Sequence, residues 1–135
     1  MYTFMITCDG GSRGNQNEDR FGYGSYMIAA PENVGKIKSL EFGVGVTNNE
    51  AEYKALIAGL TELSDAFTAV AADLKTIKII IRTDSQLVVG HLAKGWKVKD
   101  SLIPLVVQAS ALISQFSSVE FLQIPGEEMK KIIGH

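Results

Sequence analysis

The sequence has 135 residues, of which 46% are hydrophobic and 21% are charged, and its formal net charge at neutral pH is −2. This length and composition predict a single globular domain over residues 1–135, and no apolar run approaches the roughly 20 residues that cross a bilayer. The slight negative charge argues against tight, charge-driven binding of nucleic acid by the surface as a whole.

The cysteine content and the N-terminus bear on the compartment. Cys8 is the one cysteine, which rules out an internal disulfide and indicates a reducing compartment. It lies in an apolar stretch, which favours a buried, inert thiol over a reactive one. The opening "MYTFMITCDGG" has neither a basic leader nor a cleavage-like site, so we expect a cytoplasmic protein without a membrane anchor. We also expect a monomer.

The first part of the chain carries three predicted strands. Residues 1–9 are apolar and rich in β-formers, which is typical of a central strand, and "GGSRGNQNEDR" follows as a glycine-rich turn. Residues 21–30 and 36–46 alternate between the two faces of a strand. The apolar side chains of the third strand share one face: Leu40, Phe42, Val44 and Val46. Three strands joined by turns predict an antiparallel meander.

The rest of the chain mixes helical and strand patterns. Helical spacing begins at 48, runs to 65 and could continue to 74. The elements predicted after it are a strand over 76–84, helices over 85–94 and 100–116, and a strand over 117–125, with "GEEMKKIIGH" too short to predict more. Strand-helix-strand crossovers make parallel neighbours. The order therefore predicts an α/β fold with a mixed five-stranded sheet, three antiparallel strands and then two parallel, flanked by helices.

The stretch "TNNEAEYKALIAGL" contains two glutamates with different surroundings. Thr47 and Glu50 have the spacing of a capping box, in which the two side chains bond the backbone N–H groups at a helix start. Glu50 also precedes Lys54 by four residues, the favourable order for a surface ion pair. Both features give Glu50 an ordinary structural role.

Glu52 lies instead on the apolar stripe of the same helix, together with Leu56, Leu60 and Leu63. A carboxylate there is costly to desolvate unless something meets it, and no lysine or arginine shares that face. A hydrogen bond, a metal ion, or a position at the water-exposed edge of the stripe would each resolve the conflict. The helix alone leaves these alternatives open.

Two aspartates follow predicted central strands. Asp9 ends the first strand and Asp84 ends "IKIIIRTD", and the carboxyl ends of such strands face the crevice where α/β sheets bind ligands. Each could instead cap a turn or helix, Asp84 the helix that starts near Ser85. Three acids converging from two strands and a helix would repel one another unless a cation joined them. Oxygen ligands of this kind suit Mg²⁺ or Mn²⁺.

The segments "CDGGSRGNQ", "TNNEAEYKALIAGL" and "RTDSQLVVGHL", in this order, resemble the type 1 branch of the ribonuclease H family. The likeness covers nearly the whole chain and is greatest to short bacterial and archaeal forms without a separate hybrid-binding domain. It implies the ribonuclease H-like fold and endonucleolytic cleavage of the RNA strand of an RNA/DNA hybrid, giving 5′-phosphate and 3′-hydroxyl ends. It implies catalytic and metal-binding roles for Asp9, Glu52 and Asp84, which would hold two Mg²⁺ (or Mn²⁺) ions about 4 Å apart across the scissile phosphate.

The resemblance also implies substrate-binding residues. Asn15, Asn48 and Gln86 match positions that reach the minor groove of the hybrid, where 2′-hydroxyls mark the RNA strand. Thr47 matches a residue that helps to hold a DNA phosphate. Turn or cap chemistry is the plainer alternative for all of these residues.

Two further groups complete the substrate-binding candidates. The loop after the first strand contributes four residues: Gly10, Gly11, Ser12 and Arg13. Arg13 could contact a phosphate or simply be solvated. The family's basic protrusion is absent, and "KGWKVKD" supplies the one cationic cluster with an aromatic residue. Its members Lys94, Trp96, Lys97 and Lys99 are candidates for holding the substrate backbone, with core-edge packing of Trp96 and solvated lysines as the alternative.

The chain departs from the family near its C-terminal end. The family has a fourth acid, an aspartate on or just before a final helix, and here the aligned position is Ile133 or close to it. We expect the final helix to be truncated or absent. The chain is truncated, or Glu127 or Glu128 substitutes as a metal ligand, or the site works with three acids. The alternative function is a catalytically impaired nucleic-acid-binding or scaffold module of the same fold.

Overall fold

A computed structural model describes residues 2–14, 20–30 and 32–134 of the chain. The strands are β1 (Tyr2–Arg13), β2 (Phe21–Ala29), β3 (Lys38–Val44), β4 (Ile77–Thr83) and β5 (Ser118–Gln123). The α-helices are α1 (Asn48–Ala69), α2 (Gln86–Ala93), α3 (Ile103–Ile113) and α4 (Gly126–Ile133), and short 3-10 turns occupy Leu74–Thr76 and Asp100–Leu102. Within the described ranges, none of the helices combines the length and apolar character that crossing a lipid bilayer requires.

The five strands form one mixed sheet in the order β3-β2-β1-β4-β5. The pairs β1–β2 and β2–β3 are antiparallel, whereas β1–β4 and β4–β5 are parallel. A meander is therefore followed by two crossover connections through helices, as strand-helix-strand units require. This confirms the predicted fold class and puts β1 at the centre of the sheet, with β4 beside it.

Hydrophobic side chains cover both faces of the sheet. On one face α1 buries the stripe that begins beside Glu52, and Leu56, Leu60 and Leu63 are at most 4% exposed. On the other face α4 packs through Met129 and Ile133 against Met27 of β2. The larger cluster lies under α1, so burial there supplies most of the hydrophobic stabilisation.

Strand β1 is longer than the sequence predicts. Residues Gly10–Arg13, expected in a turn, pair with Phe21–Gly24 of β2 and extend the β1–β2 pairing beyond the end of the β1–β4 ladder. The glycines of this segment led to the prediction of a turn. Gly11 instead permits close packing within the sheet, because a Cβ there would lie 2.6 Å from the Tyr23 hydroxyl.

The predicted apolar face of β3 is interrupted. Leu40 and Phe42 contact the core and Val46 is 8% exposed, but Val44 is 70% exposed. The flanking Gly43 and Gly45 have φ angles of +94° and +85°, which rotate the chain out of the two-residue alternation. The prediction for Val44 was therefore wrong.

A final helix is present. Of the two expected alternatives, a truncated or an absent final helix, absence is excluded, because α4 extends over the eight residues Gly126–Ile133 and is followed by Gly134, whose φ is +95°. Met129 and Ile133 are four positions apart and both are buried, which is the spacing of an amphipathic helix. Their contact with Met27 stabilises a helix too short to be stable alone.

Candidate metal centre and nucleic-acid cleft

Asp9, Glu52 and Asp84 meet where β1 and β4 separate. The parallel ladder between the two strands ends at the pair Thr7 and Arg82, so both aspartates follow the last paired residues. Glu52 projects from the second turn of α1 toward the same place. One carboxylate oxygen from each residue lies within 4.8 Å of the others. The topology thus gathers three acids that are distant in sequence.

Gly10 makes the approach of α1 to β1 possible. A Cβ at this position would lie 2.3 Å from the carbonyl oxygen of Ala51 and 2.6 Å from the backbone nitrogen of Glu52. Without a side chain there, the backbone N–H of Gly10 donates a hydrogen bond to Oε1 of Glu52. Glycine therefore permits both the packing of the helix and the orientation of the carboxylate.

The helices α1 and α2 are capped by residues close to Glu52 and Asp84, and not by these two acids. Thr47 and Glu50 form the predicted capping box of α1, with the Glu50 amide donating to Thr47 Oγ1 at 3.1 Å and the Thr47 amide to Glu50 Oε1 at 2.9 Å. Ser85 caps α2, since its Oγ accepts from the Val88 amide at 3.2 Å. Glu52 and Asp84 are thus not the capping side chains of these helices.

The three carboxylates disfavour one another's charge. Burial, followed by the charges of Asp9 and Asp84, raises the pKa of Glu52 to about 9, although the hydrogen bond from Gly10 acts in the opposite direction. Burial, followed by the same carboxylates, raises the pKa of the Cys8 thiol well above its ordinary value. The site therefore has a negative potential that a cation would relieve.

This donor set fits a hard divalent cation. Three carboxylate oxygens within 4.8 Å of one another offer oxygen ligands, which Mg²⁺ and Mn²⁺ prefer. Glu127 and Glu128, the proposed substitutes for the fourth acid, are exposed and do not belong to this group. Ile133, at or near the position expected for the fourth acid, is 5% exposed and packs in the apolar cluster beneath α4.

The triad lies in an open cleft of about 450 Å³. The cleft is lined by Asp9, Gly10, Asn48, Asn49, Glu52, Asp84, Ser85, Gln86, Leu87 and Trp96. Trp96 packs on α2, where a Cβ at Gly90 would lie 2.0 Å from the indole ring, and the side chain is 40% exposed. The cleft therefore combines acidic, amide and aromatic groups.

A second depression of about 400 Å³ adjoins the cleft. It is lined by Ser12, Gly14, Arg20, Thr47, Asn48, Asn49, Lys99, Ser101 and Leu102. Oγ of Ser12 is buried there without a hydrogen-bond partner among the described residues. Lys99 belongs to the predicted cationic cluster, whereas Arg20 was not among the predicted site residues, because its charge was the only signal for it.

The other predicted binding residues are more dispersed. Arg13 stacks over the Tyr23 ring at 4.5 Å and lines a separate groove together with residues of β2 and β3. Lys94 lies 5.7 Å from the Trp96 ring centroid, whereas Lys97 is exposed and lines neither depression. Asn15 lies outside the described residues.

Comparison with known proteins gives consistent matches. Residues 12–130 match the family described as reverse transcriptase-like. The bifunctional protein Rv2228c of Mycobacterium tuberculosis is 38% identical over 122 residues, which are 90% of this chain and 31% of that protein. Ribonuclease HI of Halobacterium salinarum is 32% identical over 124 residues, 87% of this chain and 54% of that protein. The chain thus spans 31% of the first relative and 54% of the second.

Solved structures match over more of their length. The N-terminal RNase H domain of Rv2228c, solved as a fusion with maltose binding protein, has a TM-score of 0.76 at 32% identity, with 97% of this chain and 88% of that one covered. RNase H1 from Halobacterium salinarum has a TM-score of 0.75 at 28% identity, covering 95% and 89%. LC11-RNase H1, solved in complex with an RNA/DNA hybrid, has a TM-score of 0.78 at 27% identity, also covering 95% and 89%.

Proposed function

Because this chain belongs to the type 1 branch of the ribonuclease H family, we propose that it hydrolyses the RNA strand of RNA/DNA hybrids. The reaction would leave 5′-phosphate and 3′-hydroxyl ends. The observation that carries the proposal is the convergence of Asp9, Glu52 and Asp84 within 4.8 Å in an open cleft.

The proposed metal ligands are these three carboxylates. Mg²⁺ or Mn²⁺, when bound, would supply the positive charge that stabilises the transition state of phosphodiester hydrolysis. The chain's own contribution is orientation: the Gly10 amide aims Glu52, and the Ser85 cap fixes the start of the helix beside Asp84. Because its pKa is raised to about 9, Glu52 must lose a proton before it can bind a cation at neutral pH.

The cleft also offers groups that suit the RNA strand. Asn48 and Gln86 are exposed and line the cleft beside the carboxylates. Their amides can donate to and accept from 2′-hydroxyl groups, which only the RNA strand has. The exposed indole of Trp96 provides a flat surface for a sugar or base at the edge of the cleft.

The adjoining depression suits a phosphate of the DNA strand. Ser12 and Thr47 contribute hydroxyls, and Arg20 and Lys99 contribute positive charge. The buried Ser12 hydroxyl, which has no hydrogen-bond partner among the described residues, would gain one from a phosphate oxygen. The cleft and the depression share Asn48 and Asn49, so one duplex could occupy both.

One observation favours the second candidate function, a catalytically impaired module that binds nucleic acid. A buried isoleucine occupies the position aligned with the fourth acid, and the exposed Glu127 and Glu128 stand outside the group of carboxylates. With one ligand fewer, a metal ion would be held more weakly, so we expect low activity or a preference for Mn²⁺.

Cleavage assays on matched duplexes test the proposal. The protein and its Asp9→Asn variant are incubated with labelled RNA/DNA hybrid, duplex RNA and duplex DNA, each with Mg²⁺ or Mn²⁺. We expect cleavage of the hybrid alone, with 3′-hydroxyl ends, and its loss in the variant. Binding of the hybrid without cleavage in either ion would favour the impaired module.

A further inference from the structure

A buried polar pair joins the two helices that flank the metal centre. The Tyr53 hydroxyl and Nδ1 of His91 share a hydrogen bond of 2.6 Å, and the two rings stack with centroids 5.9 Å apart and planes inclined by 14°. Tyr53 is fully buried and His91 is 7% exposed. Because both groups are buried, removal of one partner leaves the other without this hydrogen bond, which destabilises the protein.

The pair has a direct relation to the metal ligands. Tyr53 follows Glu52 in α1, and His91 belongs to α2, the helix that begins two residues after Asp84. Among the hydrogen bonds of the described residues, it is the one that connects α1 with α2. It therefore constrains how far the helix carrying Glu52 stands from the helix next to Asp84.

The same turn of α2 supports the edge of the cleft. Gly90 precedes His91, its carbonyl accepts from the Trp96 amide at 3.0 Å, and its bare Cα is covered by the indole ring. His91 thus connects the end of α2 to α1 through its buried hydrogen bond with Tyr53. Trp96 packs on Gly90 of the same helix and lines the cleft.

We propose that Tyr53 and His91 are positioning residues, whose hydrogen bond holds Glu52 and Asp84 at the spacing that a divalent cation requires. This inference rests on the proposed metal site and adds to it two residues that touch neither metal nor substrate. Substitution of residues that orient metal ligands, without touching the metal themselves, commonly lowers metal affinity by 10- to 100-fold.

Metal affinity provides the test. Mn²⁺ binding to the substrate-free protein is measured by titration calorimetry for wild type, Tyr53→Phe, His91→Leu and His91→Asn, with melting temperatures recorded in parallel. We expect Tyr53→Phe and His91→Leu to weaken Mn²⁺ binding on the order of tenfold. Asparagine offers a polar atom near the place of Nδ1, so His91→Asn should recover part of the affinity.

Ser64→Ala is the matched control. Ser64 is 7% exposed, lies on α1 about 18 Å from Glu52, and donates to Gln115 Oε1 at 2.9 Å. Its loss removes another buried hydrogen bond of the same helix, so it should lower the melting temperature and leave Mn²⁺ affinity unchanged. Wild-type Mn²⁺ affinity in Tyr53→Phe, the change least disruptive to folding, would overturn the inference.

Failure of the proposed function gives a different pattern. If the wild-type protein binds Mn²⁺ but cuts no hybrid, the catalytic proposal fails while the positioning role is still measured by binding. If neither wild type nor variants bind Mn²⁺, and Asp9→Asn is indistinguishable from them, the metal site and this inference fall together.

Discussion

The backbone N–H of Gly10 donates to Oε1 of Glu52 and thereby connects the strand that carries Asp9 to the helix that carries Glu52. Gly10→Ala should break this connection, because the added methyl group would lie 2.3 Å from the Ala51 carbonyl oxygen. We expect overpacking to lower the free energy of unfolding by about 1–3 kcal/mol. We expect Mn²⁺ affinity to fall by a larger fraction of its wild-type value than the stability does. Denaturant unfolding and calorimetry measure the two effects. Unchanged metal affinity in a folded variant would contradict this role.

The two glutamates at the start of α1 should respond differently to the same substitution. Glu52→Gln removes a carboxylate from the group of three, so we expect loss of nearly all hybrid cleavage. Glu50→Gln retains an acceptor for the Thr47 amide, so it should cost about 1 kcal/mol of stability or less and leave the cleavage rate near wild type. Equal losses of activity in the two variants would show that the roles are misassigned.

The metal-free protein should lose stability as the pH rises. Burial and the neighbouring carboxylates raise the pKa of Glu52 from 4.5 to about 9, so the folded state retains a proton that the unfolded state has released. The contribution of Glu52 to stability is therefore complete below about pH 4.5 and is lost progressively up to about pH 9. Melting temperatures at several pH values with a chelator present should reveal this slope, and Glu52→Gln should flatten it.

Metal binding should release that proton. At pH 7 Glu52 is protonated in the metal-free protein, whereas a metal ligand must be deprotonated. We expect roughly one proton to be released for each protein that binds Mn²⁺, as calorimetry in two buffers of different ionisation enthalpy would show. Proton release that persists in Glu52→Gln would assign it to another group.

Lys99 should contribute to hybrid binding through charge alone. It lines the depression beside Ser12 and Thr47, away from the carboxylates. Lys99→Ala should weaken binding of the hybrid and reduce the slope of log K against log salt by about one unit, with little change in kcat. Lys130→Ala, on the exposed side of α4, is the control and should leave the slope unchanged. If Lys99→Ala and Lys130→Ala give the same slope of log K against log salt, the depression does not bind the hybrid.

Local patterns in the sequence were sufficient to predict the mixed sheet and the buried side of α1. Apolar β-branched runs marked the central strands, and the stripe from Glu52 to Leu63 marked the buried side of α1. Both rest on the periodicity of neighbouring residues, which the fold preserves. The capping box was similarly readable, because Thr47 and Glu50 are three residues apart.

Features that leave no periodic signal in the sequence, or that depend on distant contacts, were not predictable in this way. Val44 was assigned to the wrong side because the positive φ angles of Gly43 and Gly45 carry no periodic signal. The helix α4 is stabilised by contact with Met27, more than a hundred residues earlier. Likewise, no local spacing brings Arg20 to Lys99; only the folded chain does.

The burial of Ile133 restricts how this chain could acquire a fourth ligand. An aspartate there would replace an apolar side chain that packs with Met27 and Met129, and burying an unpaired charge in that cluster would destabilise the helix. The first turn of α4 is the accessible route, since a Cβ at Gly126 would lie 3.5 Å from Asp84 Oδ2 and its neighbours are exposed. A carboxylate introduced at Gly126 is therefore the change that could add a ligand beside Asp84, whereas the end of this helix serves hydrophobic packing.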